Sequence, residues 1–158
     1  MGDKKLAKIT TVTTAAEETL THYLTVGDSA VALFIAASFL EVRLETVMKY
    51  FFQSKKLHAE GLYTDLKLSP MIRLAHDLNV ITKTEHDEFL ALVKRRNILG
   101  HETEGWREWG TEDDRLNRRL TNQVLDFIKA NETKSKIGKR LASMPRVAPP
   151  RSAKGSRP

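Results

Sequence analysis

Residues 29–53 constrain the fold more than any other stretch. Leu33, Ala37, Leu40, Leu44, Val47 and Phe51 recur at spacings of three and four, and Val31, Phe34, Phe39 and Phe52 widen the apolar arc. On a helix, at about 100° per residue, this places apolar side chains around most of the circumference. Such a helix has to be covered on several sides, so a bundle with this segment near its centre is expected. Glu41, Arg43, Glu45 and Lys49 interrupt the run, which argues for a buried helix and against a membrane span. Glu41 and Glu45 are like charges four apart, an unfavourable pairing in isolation. Lys49 relieves Glu45, so Glu41 invites a cation from another helix.

The remaining pattern is helical as well. Leu6, Ile9, Thr13, Ala16, Leu20 and Tyr23 mark one face over residues 6–24, and Gly27 ends that run. Asp28 or Ser29 caps the central helix. Residues 54–68 read as a polar connection containing Gly61. Ser69-Pro70 reads as a cap with proline at the first helical position of a short helix ending near Asn79. Thr82 or Thr84 caps the next helix, expected to end at about Leu99 with Gly100 just past it. Thr111, followed by Glu112, Asp113 and Asp114, opens a helix whose buried face is Leu116, Leu120, Val124, Phe127 and Ile128. No alternating strand pattern stands out. The expected fold is all-α, an up-and-down bundle of about five helices over residues 1–131.

Charge divides the chain. Residues 132–158 hold eight Lys or Arg against one acid, whereas residues 1–131 hold eighteen basic and nineteen acidic residues. Four of the five prolines also lie in 132–158. A flexible basic tail is expected there, able to contact phosphates through charge alone. The absence of cysteine excludes disulfides and thiolate metal sites. With no apolar run near the first residue, a reducing, cytoplasmic setting is expected. His22, His58, His76 and His86 show no ligand spacing, so neither a metal nor any other cofactor is expected.

The residues that carry chemistry are Arg96-Asn97-Ile98-Leu99-Gly100-His101. Phe89, Leu92, Val93 and Leu99 share one helical face, and Arg96 falls within it. A guanidinium on a core face needs a partner or a task. Glu41 is the expected structural partner. Lys94 and Arg95 point outward and could complement the helix dipole or meet phosphate. Trp106 and Trp109, in the loop that follows, could stack on bases or seal the end of the bundle. Arg115, Arg118 and Arg119 read as a solvated helix face.

RNILGH resembles the hallmark of the HEPN superfamily: Arg, a polar residue that is often Asn, a few more residues, then His at the end of a bundle helix. DSAVALFIAASFLEVRLETVMKYFF and SPMIRLAHDLNVI, followed by FLALVKRRNILGH, are most similar to proteins of the mannitol-repressor type within that superfamily. The likeness spans roughly residues 28–128. Many HEPN proteins are metal-independent endoribonucleases of toxin–antitoxin or antiviral systems that act as homodimers with their motifs in one cleft. Others are noncatalytic, and mannitol-repressor-like proteins act as transcriptional regulators. The resemblance therefore implies RNA as substrate, a second copy as partner, and an antitoxin or other protein as a further partner, with no membrane. Arg96 would stabilise phosphate, His101 would transfer protons and Asn97 would assist, assuming Gly100 lets His101 fold back. The tyrosine common two residues after the His in HEPN toxins paired with nucleotidyltransferase antitoxins is Thr103 here, so control by modifying that tyrosine is not implied.

Overall fold

The computed structural model describes residues 2–101 and 110–145, with side chains described from residue 11 onward except that of residue 60. Among the described residues seven helices follow one another: α1 (Gly2–Thr25), α2 (Ser29–Ser54), α3 (Glu60–Thr64), α4 (Leu68–Asp77), α5 (Lys83–His101), α6 (Thr111–Ala130) and α7 (Lys134–Ser143). The described residues contain no strand, and none of their helices is long and apolar enough to cross a membrane. The all-helical expectation holds. Among the described residues the helices number seven and not the expected five, because α3 forms within the connection 54–68 and α7 within the expected tail.

α2 touches each of the other six helices. Its sequence explains why: Leu33, Ala36, Ala37, Leu40, Leu44, Val47 and Met48 are fully buried. Each leucine removed from water contributes roughly 1.5–3 kcal/mol. Gly27, at φ +86°, reverses the chain after α1, a conformation that side chains with a Cβ resist. Asp28 then caps α2 by accepting from the Val31 N–H at 3.1 Å.

Arg43 lies in the same buried seam and is 1% exposed. Its guanidinium donates to the Asn131 carbonyl at 2.8 Å and to the Thr13 hydroxyl at 2.7 Å. Asn131 is the residue that closes α6, and its own side chain donates to the Phe127 carbonyl at 2.8 Å. A cation at a helix C-terminus is favourably placed. Burial lowers the pKa of Arg43, and nearby Glu132 opposes that shift.

The stretch expected to be a flexible tail begins with packed helix. Thr133 caps α7 by accepting from the Lys136 N–H at 3.2 Å. Ile137 is fully buried. Arg140 donates to the Val80 carbonyl at 3.2 Å, pairs with Glu85 and lies 5.1 Å from the Phe127 ring centre. Basic composition is compatible with helix here because one apolar residue and one arginine anchor the segment. The rest of that stretch, 146–158, lies outside the described residues.

Candidate functional site

α5 carries the motif, and its start is well defined. The Thr82 N–H donates to Glu85 at 2.8 Å and the Glu85 N–H donates to the Thr82 hydroxyl at 3.2 Å, a reciprocal capping box. Its end differs from expectation. The helix continues through Gly100 to His101. Gly100 needs no special backbone angle, and a Cβ there would sit in ordinary contact, 3.9 Å from the Phe34 ring. His101 therefore does not fold back toward Arg96. On a continuous helix the two side chains leave about 140° apart.

Arg96 shares the side of α5 that buries Phe89, Leu92, Val93 and Leu99, yet it is only half-buried. It forms no ion pair with a described residue. The expected pairing with Glu41, itself half-buried, is not made. A long arginine can cover apolar surface with its methylenes while its head stays hydrated, so no internal counter-ion is needed. The Arg96 guanidinium donates instead to the Asn97 side-chain oxygen at 3.3 Å.

Arg95 also departs from expectation. Its side chain is 14% exposed, pairs with Asp113, and donates from Nε to Asn117 Oδ1 at 3.1 Å. It ties α5 to α6 and is not presented to phosphate. The cause is the position of α6, which covers the flank where Arg95 emerges. Asn117 is buried and donates to the Ser29 hydroxyl at 3.5 Å. The neighbouring Asp114 is bonded by Ser29 and by Arg118, whose guanidinium also reaches the Leu24 carbonyl at 2.8 Å. The Arg118 position is thus structural, joining α6 to the end of α1.

The opposite flank of α5 is open. Leu90, Lys94, Asn97, Ile98 and His101 form one stripe, and with Val93 and with Ser69 and Arg73 of α4 they line a groove of about 510 Å³. Lys94, Asn97, Arg73 and His101 are all exposed. Among the described residues that line it, none is acidic. Two fixed cations, an imidazole, an amide and a hydroxyl over an apolar floor form a surface suited to an anion with hydrogen-bonding oxygens. Asn97 connects the two halves of the motif, since it lines the groove and accepts from Arg96.

The structure thus brings Lys94, Asn97 and His101 together and leaves Arg96 beside them. Trp106, Trp109 and Thr103 lie outside the described residues. The sequence pattern does not single out Arg73, and it gives Ser69 only the place of a cap. In fact Lys67 precedes the first turn of α4, leaving Ser69 within the helix. Their participation depends on α4 packing beside α5, which no local pattern announces. His76 and His86 also meet across α4 and α5, with ring centres 4.5 Å apart. Among the described residues, no group of three or more His, Cys, Asp or Glu side chains is arranged to hold a metal ion.

Neither protein families, curated proteins nor solved structures give a match to this chain.

Proposed function

We propose that this chain is a metal-independent endoribonuclease of HEPN type. The observation that carries this reading is the groove in which His101, Asn97, Lys94 and Arg73 gather with no carboxylate among the described residues that line it. An RNA phosphodiester seated there meets positive charge from Arg73 and Lys94. Neutral His101 takes the proton of the adjacent 2′-hydroxyl, and that oxygen attacks phosphorus. The bond from phosphorus to the 5′-oxygen breaks, and a protonated imidazole returns a proton to the leaving oxygen. The products are a 2′,3′-cyclic phosphate and a free 5′-hydroxyl, so the ribose supplies the nucleophile. Arg96, directed away from His101 of its own chain, serves the groove of a second copy by stabilising the charge that develops on phosphate. A homodimer therefore follows from the proposal, in the cytoplasmic toxin–antitoxin or phage-defence setting that the resemblance implies.

The test is cleavage of a mixed RNA in EDTA. His101→Ala should lower the rate by roughly 10²–10⁴-fold, the usual contribution of a positioned acid or base. Products should end in cyclic phosphate, and DNA, lacking the 2′-hydroxyl, should resist. Equal rates for the two proteins would exclude the mechanism.

The divergence of Arg96 and His101 within one chain favours a second reading, a noncatalytic regulator or binding module of the mannitol-repressor kind. Under it, RNA or DNA binds the same groove without being cut. Lys94→Glu then weakens binding, while His101→Ala changes no product because none is formed.

A further inference from the structure

A second groove lies where α7 meets the end of α2, and it shares no lining residue with the groove beside His101. Tyr50, Phe51, Phe52, Leu57, Leu78, Leu141 and Met144 give it an apolar surface, with Lys55 and Lys134 among the other lining residues. It occupies about 970 Å³ and adjoins a smaller depression through the shared residues Phe52, Gln53 and Leu57. That extension adds Lys49, His58 and Tyr63. None of the described residues lining either depression is acidic.

We propose that this extended groove docks an acidic amphipathic helix of a partner protein. Three observations support that occupant. The first is charge: lysines flank an apolar floor with no carboxylate among the described lining residues, which complements a segment with an apolar face and acidic edges. The chain's own continuation offers no such complement, because residues 146–158 add four Lys or Arg and no acid. The second is backbone chemistry. The groove walls are helices and their connections, with no sheet edge among the described residues, so an extended peptide would find no ladder of hydrogen bonds. A helix satisfies its own backbone. The third is Gly138. It sits in the middle of α7, where glycine destabilises a helix relative to alanine. A Cβ at that position meets nothing within 4 Å, so packing inside the fold does not call for glycine. With Ala142 one turn later, it leaves α7 low enough for another backbone to approach.

Single-stranded RNA is the less suitable occupant. Lys134 lies over the Tyr50 ring, 5.8 Å from its centre, and Lys55 over Phe51 at 5.9 Å. Phe52 and Tyr63 are stacked on one another, 5.5 Å apart and 7° from parallel. Each contact takes one face of its ring, leaving these rings less available to stack on bases.

The experiment uses the full chain and a fluorescent helical peptide of about five turns, with Leu and Phe on one face and Glu on the other. Controls are a peptide of the same composition permuted to remove the apolar face, and an oligouridine. Binding by anisotropy should favour the amphipathic peptide. Gly138→Glu, which raises helix propensity while placing an acid in the groove, should weaken it at least about tenfold. Lys55→Glu combined with Lys134→Glu should do the same, whereas Lys94→Glu in the other groove should have no effect. Equal binding of the permuted peptide, oligouridine binding lost with these same variants, unchanged affinity in Gly138→Glu, or no peptide binding would each overturn the proposal. Self-association of the free chain that Gly138→Glu abolishes would place a second copy there and overturn it too. RNA cleavage does not enter the measurement, so its outcome is independent of the nuclease reading.

Discussion

Arg43 joins three helices through hydrogen bonds that a hydrocarbon side chain cannot replace. Charge-assisted hydrogen bonds contribute about 1.5–3 kcal/mol each, and an abandoned buried acceptor adds a desolvation penalty. Arg43→Met preserves apolar bulk but leaves the Asn131 carbonyl and the Thr13 hydroxyl without the guanidinium. A loss of about 2–4 kcal/mol is expected, read from urea unfolding. This arginine was legible in principle. At 100° per residue it falls beside Ala36 and Val47 on the buried seam, yet interspersed charges in an apolar run also serve as ordinary evidence against a membrane span. Arg96 shows the reverse: periodicity correctly put it on the core side, but length let its head reach the solvent-accessible edge. Periodicity locates a Cβ, whereas the end of an arginine lies several bonds farther away.

Asp114 adds a pH dependence at the same scale. The Ser29 hydroxyl and then the Arg118 guanidinium hold its carboxyl below the usual carboxylate range. A depressed folded pKa stabilises the fold above the unfolded value, near pH 4, and that contribution disappears as pH falls through the folded value. Ser29→Ala removes the first cause and should raise the Asp114 pKa, measurable by carboxyl NMR titration. The variant should then lose less stability than wild type as pH falls below about 4, beyond any constant difference at neutral pH.

Helices were legible where one face repeats. α2 and α6 follow their apolar spacing closely, with Leu120, Val124, Phe127 and Ile128 buried as the repeat requires. The opening of α6 shifts by one position, since Gly110 occupies the cap and Thr111 is the first helical residue. α7 was hidden because its stability comes from contacts distant in sequence. Glu85 illustrates the coupling: it completes the cap of α5 and also receives Arg140 from α7. Arg140→Ala should weaken α7 alone, while Glu85→Ala should lose the cap as well, an additional loss of about 1 kcal/mol. Ile137→Ala should lower stability by about 2–4 kcal/mol, as expected for a fully buried side chain. Truncation after residue 131 should be comparably damaging, since it removes both anchors. Unchanged thermal unfolding in all of these would mean that α7 contributes nothing to the folded body.

For the whole molecule, the proposed chemistry depends on how two copies combine. The motif itself was readable as a string, but its three-dimensional partners were not: Ser69 and Arg73 enter from α4, while Arg95 is diverted to α6. Because α5 continues to His101, Arg96 and His101 leave one helix in different directions. In the proposed reaction, a site using both takes one from each protomer. Arg96→Ala and His101→Ala should therefore each be nearly inactive alone and recover activity on mixing. A heterodimer contains one site with both defects and one with neither. Random exchange makes about half the dimers mixed, each with one intact site, so about one quarter of wild-type activity should return. If the two residues instead served one site within the same chain, mixing would restore nothing. The recovery should grow only as fast as the subunits exchange, which separates shared-site assembly from contamination by active enzyme. It should also vanish at dilutions where the dimer dissociates.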